Sequence, residues 1–203
     1  IPIALDNYDE SKAQEVLEVL AKNQTWQIPT LAINVGATKR FFASEEWMEG
    51  FKYLPDSIEK QWVLNVDQMM SREPSEFNHK FANWKLKMVA KIHQTGIDIM
   101  ASTDTPVGHL IPGLSLHQEL ALLVEAGLSP LDAIKTATLN PARYFNLENE
   151  LGSIKENMWA DLVLLEANPL ENIHNTRRIH AVIKQGKYFA RSELDEVLER
   201  LKN

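Results

Sequence analysis

Asp104 is the residue whose type and placement most readily do chemistry. It closes the run Gly96-Ile97-Asp98-Ile99-Met100-Ala101-Ser102-Thr103-Asp104-Thr105-Pro106. Gly96 ends a helical pattern, Ile97, Ile99 and Ala101 continue as a buried strand, and Pro106 stops it. A carboxylate is therefore expected at the carboxyl end of a buried strand, where α/β barrels gather their reactive groups. There it can accept a proton from water or hold a cation. Ser-Thr-Asp-Thr is equally good turn chemistry, so the strand alone does not decide. His109 follows in the loop Pro106–Gly113, where such a fold presents substrate contacts, and is the candidate substrate-binding residue.

The other histidines carry less. His79 and His93 share one amphipathic helix, His117 opens the next helix, and His174 and His180 lie far along the chain. There is no His-x-His, no His-Glu-x-x-His and no phosphate-binding glycine loop. Gly113-Leu114-Ser115-Leu116-His117 lacks the last glycine of a nucleophile elbow, which leaves Ser115 as a helix-start residue. His117-Gln118-Glu119 has the His-x-Glu form of the zinc deaminases, but the chain has no Cys to complete that site. A glycosidase would need a second, opposed carboxylate at a strand end, and only Asp104 is so placed.

The elements that must position Asp104 are legible around it. A helix is expected over roughly Glu10 to Lys22, with Asn7 or Asp9 as its cap. Trp26 to Ile33 reads as a strand with a bulge or an end at Pro29. Residues 37–74 read as irregular helix, rich in Phe and Trp, forming a satellite core under a long excursion. A helix over Glu76 to Gln94 leads into the Asp104 strand, with Phe77, Phe81, Trp84, Met88 and Ile92 on one face. Beyond the loop comes a helix with Leu116, Leu120, Leu123 and Val124 on one face, closed by Gly127. Ser129-Pro130-Leu131-Asp132 caps and opens another, and Asn140-Pro141 breaks or restarts it. After Leu151 the pattern changes to strands over Ala160–Ala167 and His180–Phe189, with a turn at Lys184-Gln185-Gly186-Lys187, then a last helix from Ser192.

Composition sets the outer bounds. The 203 residues are 44% hydrophobic and 24% charged, with a formal net charge of -7. Lys and Arg are scattered, which argues against a nucleic-acid surface. The absence of Cys excludes disulfides and thiol catalysis. No run is long and apolar enough to span a membrane. No signal peptide is legible, but the chain begins Ile1-Pro2-Ile3 without an initiator Met, so both a cytoplasmic and an exported protein remain open.

From Gly96 to Phe189 the chain resembles the C-terminal portion of a metal-dependent amidohydrolase of the imidazolonepropionase and Xaa-Pro dipeptidase type. The matching pieces are Ser102-Thr103-Asp104-Thr105-Pro106 and Pro112-Gly113-Leu114-Ser115-Leu116-His117-Gln118-Glu119-Leu120, then Leu123 to Ile134 with Glu125-Ala126-Gly127 at its centre. They continue as Ala137-Thr138-Leu139-Asn140-Pro141-Ala142, Leu151-Gly152-Ser153-Ile154 and Ala160-Asp161-Leu162-Val163. Each piece alone is unspecific, and their order and spacing are specific. Where the family usually has Gly before the Ala-Asp-Leu strand, this chain has Lys155-Glu156-Asn157-Met158-Trp159, in which Asn157 can still turn left-handed.

The resemblance implies an α/β fold. Residues 1–151 would be the last strands and helices of a (β/α)8 TIM-type barrel. Residues 152–203 would add C-terminal strands of a small β-sandwich and a terminal helix. It implies hydrolysis of amide, cyclic amide or short peptide bonds, a small-molecule or short-peptide substrate, and a divalent metal, zinc first. Asp104 would be the metal or water ligand and the proton carrier. The family's other ligands, a His-x-His, a Lys or Glu, and two single His, have no counterpart here. A barrel alone needs ~250 residues. The expectation is therefore a fragment that is inactive by itself and associates with a second copy or with a missing N-terminal half. The rival expectation is a non-catalytic assembly or binding module on the same fold, its open edges driving association.

Overall fold

The computed structural model describes residues 2–107 and 109–202. Helices dominate its first three quarters, in the order α1 (Pro2–Asp6), α2 (Glu10–Lys22), α3 (Leu31–Lys39), α4 (Glu45–Phe51), α5 (Asp56–Met70), α6 (Glu76–Gln94), α7 (Leu114–Glu125), α8 (Pro130–Thr136) and α9 (Leu139–Tyr144). A small antiparallel sheet follows, β1 (Leu162–Leu165), β2 (Ile179–Lys184) and β3 (Lys187–Ala190), and α10 (Arg191–Glu199) packs on β2 and β3. Its register pairs Val163 with Val182 and Val182 with Phe189, and Gln185-Gly186 makes the tight β2–β3 turn at positive φ.

Side-chain caps fix the starts of α2, α4, α6 and α8. The Asp9 side chain accepts from the Lys12 N–H, that of Ser129 from Asp132, and Ser75 forms a reciprocal box with Asn78. The α2 and α6 bounds are those that the apolar spacing predicts. On α6, however, the deeply buried residues are Ala82, Val89 and Ile92. Phe77, Phe81 and Trp84 instead form a half-buried stacked ladder, with centroids 5.8 and 6.2 Å apart, that meets Tyr8.

One expected element is corrected. Trp26 to Ile33 is not a strand. Only Gln27 is paired, by a single parallel bridge to Ile99, with Gln27 N donating to Asp98 O and Met100 N to Gln27 O. Pro29 has no N–H to offer a sheet, and Thr30 turns left-handed at φ 45°. The chain then enters α3. The Asp104 strand is likewise a buried extended segment with one bridge. Ile97, Ile99 and Met100 are buried, and Ala101 is half-buried.

The core is contiguous. Leu31, Val35, Ile99, Leu110, Leu122 and Leu123 all belong to one buried cluster. The aromatic residues of 37–74 join it: Phe42, Trp47 and Phe51 are buried in the same cluster, where the sequence alone suggested a satellite.

Candidate functional site

Asp104 stands at the tip of its segment, exposed, in the left-handed region at φ 54°. Asp is among the few residues that adopt this conformation readily. The two extended segments run parallel through the Gln27–Ile99 bridge, with Thr30 three residues beyond it on one segment and Asp104 five residues beyond it on the other.

Behind them sits a residue that sequence reasoning set aside. Glu119 of α7 is fully buried, 0% exposed. Its Oε1 accepts the Leu31 N–H at 2.8 Å and its Oε2 the Ala32 N–H at 2.7 Å. These are free donors at the start of α3, whose cap residue Thr30 makes no side-chain bond of its own. Burial raises the Glu119 carboxyl to about 7. The Leu31 and Ala32 N–H bonds pull it down, and the charge of Asp104 pushes it up again.

The loop carrying His109 is pinned from beneath. The His109 carbonyl accepts the Trp47 indole N–H at 2.7 Å. Its half-buried ring lies among Phe42, Trp62 and Phe51, at centroid distances of 5.6, 5.4 and 6.4 Å. The structure thus brings Glu119 into the electrostatic neighbourhood of Asp104, and seats the His109 ring in an aromatic cluster of its own chain.

His117 faces another way. Its Nδ1 lies 3.0 Å from Thr176 Oγ1, which also donates to the Ile173 carbonyl at 2.8 Å. Arg177 beside it pairs with Glu46 and donates to Gln118 at 3.1 Å. Burial lowers the His117 pKa, and Arg177 lowers it further. These contacts lock α7 to the turn Ile173–Arg177, which precedes β2.

A divalent metal, which the resemblance implies, needs three or more protein ligands. Among the described residues no three His, Asp or Glu side chains converge in that way. Asp104 offers one carboxylate, Glu119 has both oxygens committed to backbone N–H groups, and His117 bonds Thr176. The residues described here do not by themselves fit a catalytic metal.

Comparison with known proteins places the chain. The sequence pattern of the amidohydrolase family matches residues 76–188, more than half of it. Adenine deaminase 3 of Rhizobium meliloti (strain 1021) is 34% identical over 100 residues, covering 46% of this chain and 17% of the relative. Ochratoxinase of Aspergillus niger is 35% identical over 113 residues, covering 53% and 22%. A solved Xaa-Pro dipeptidase with bound methionine superposes with a TM-score of 0.61 at 21% identity, over 87% of this chain and 37% of that one. The crystal structure of A. niger ochratoxinase gives 0.56 at 26% identity, over 90% and 34%. The chain thus spans about a third of the solved relatives and a smaller share of the curated ones. The matched region contains Asp104, His109 and Glu119, and it covers more than half of the sequence: the chain belongs to the amidohydrolase family.

Proposed function

We propose that the protein is a metal-dependent hydrolase of C–N bonds and that Asp104 is its proton-carrying carboxylate. The observation that carries this is Asp104 itself, an exposed acid at the end of a buried segment, inside the stretch that matches the family. In this role Asp104 accepts a proton from the attacking water as the water oxygen bonds to the electrophilic carbon. It then delivers that proton to the leaving nitrogen as the C–N bond breaks. Substrates are small: an N-acyl amino acid, a short peptide or a cyclic amide. A divalent ion, zinc first, would need its other ligands from outside the described residues, and the 203-residue polypeptide alone is then inactive.

On this reading residues 1–151 are the closing part of a (β/α)8 barrel and residues 152–203 give strands to a small β-sandwich. The remaining ligands arrive on polypeptide that covers the open side of the Gln27 segment. Apolar exposure there supports it: Ile28 is 52% exposed and Phe145 65%, next to a chain of ring contacts from Trp26 through Tyr144 to Phe145. His109 joins the proposal as a wall of the substrate pocket, its ring held by Phe42 and Trp62. The test is a substrate panel (an Xaa-Pro dipeptide, an N-acyl phenylalanine, adenine) with added zinc. The whole gene product turns over at least one, the 203-residue chain none, and Asp104→Asn lowers kcat by a factor of about 10²–10⁴. Undiminished turnover in that variant rejects the role.

A further inference from the structure

We propose that Glu119 is the positioning residue of this site, holding the bend that ends the Gln27 segment beside the Asp104 segment, through the backbone of Leu31 and Ala32. The inference rests on the role proposed for Asp104. The need that Glu119 meets is small: two free N–H groups at a helix start. A Ser or Asp at Thr30 in ordinary cap geometry would meet it locally. Here Thr30 is left-handed and makes no such bond. The acceptor instead comes from 88 residues away and is a fully buried carboxylate. Burying a carboxylate is expensive unless it is well bonded. Both of its oxygens are so engaged, each accepting one backbone N–H.

The geometry says what the tie fixes. Leu31 directly follows the Pro29-Thr30 bend that ends the Gln27 segment, and that segment is bridged to Ile99, five residues before Asp104. Glu119 belongs to the helix that starts after the Asp104–Gly113 loop. One side chain therefore links two elements next to the Asp104 segment: the end of the bridged Gln27 segment and the helix after the loop. Loss of either bond lets the bend at Thr30 move relative to Asp104, and displacements of about 1 Å at such sites cost up to ~10²-fold in rate.

Glu119→Gln keeps the size and one acceptor but turns an amide NH2, itself a donor, toward the second N–H, so a packing role is rescued and a two-bond tie is not. In the whole gene product, with an Xaa-Pro dipeptide as probe, E119Q lowers kcat about tenfold or more at an unchanged KM. In the full chain, the Leu31 and Ala32 amides exchange slowly with solvent in the wild type, and at least one exchanges fast in E119Q. Should E119Q fail to fold, E119D keeps both oxygens on a shorter arm and carries the same two readouts. Wild-type kcat in E119Q or a folded E119D, beside an inactive D104N, overturns the inference alone. Wild-type kcat in D104N overturns the reading beneath it.

Discussion

Asp104 and Glu119 are two carboxylates in one electrostatic neighbourhood with opposite exposures. Asp104 is at the surface, Glu119 is sealed beneath it, and the charge of the first helps to raise the pKa of the second. Asp104 is open to solvent, whereas Glu119 meets two backbone N–H groups. Environment, not residue type, divides the roles.

This division makes stability depend on pH. The Glu119 carboxyl rises from the ordinary 4.5 to about 7 on folding. The folded state therefore binds a proton more tightly than the unfolded one. The resulting stabilisation is complete below pH 4.5 and is lost as pH climbs to about 7. Its size is on the order of 3 kcal/mol. Urea unfolding between pH 4.5 and 8 should show this loss in the wild type, and Glu119→Gln should remove it.

His117 gives the opposite slope. Its pKa is lowered by burial and by Arg177, so its contribution is present above the unfolded value of 6.5 and is lost as pH falls through the folded value. His117 stands at the junction of α7 with the Ile173–Arg177 turn. Acid should loosen that junction, read as faster amide exchange in the turn on going from pH 7 to 5. Arg177→Gln should weaken the effect by removing the neighbouring positive charge.

Gly152 tests the seam between the helices and the sheet. It sits at φ +89°, and a Cβ there would lie 2.7 Å from Ala142 Cβ and 2.9 Å from the Thr138 carbonyl. Neither neighbour can swing away. Gly152→Ala should cost about 2–4 kcal/mol by denaturant unfolding, from strain and overlap together.

Trp47→Phe tests the support of the His109 loop. Trp47 is buried, and its indole N–H bonds the His109 carbonyl at 2.7 Å. Losing the bond and part of the ring should cost about 1–3 kcal/mol in the same measurement. Amide exchange should rise in residues 109–113.

Much of this frame is legible in the sequence because its causes are local. The α2 and α6 bounds follow from apolar spacing and caps, and the Gln185-Gly186 turn from its residue types. Trp26–Ile33 misleads because its apolar residues suit a strand, while Pro29 and the left-handed Thr30 end the extension after one bridge. The cap that makes α3 possible arrives from Glu119, with no local trace near Leu31. Glu119 itself left a signal: it lies three and four residues before Leu122 and Leu123, so helical spacing sets it on the buried face of α7. A lone Glu on such a face calls for partners. Asp104 stands out in the sequence by its segment end and its surrounding motif, and its role is a proposal; among the described residues no full metal-ligand set is present.

In the proposed enzyme Asp104 joins ligands from beyond the described residues to complete a hydrolytic metal site. Its most direct test is zinc content and substrate-panel turnover of the whole gene product, wild type beside Asp104→Asn, both confirmed folded. Bound zinc and turnover are expected in the wild type, with turnover reduced by about 10²-fold or more in the variant. A variant that retains full turnover, or a wild type that is active without any metal, would contradict it.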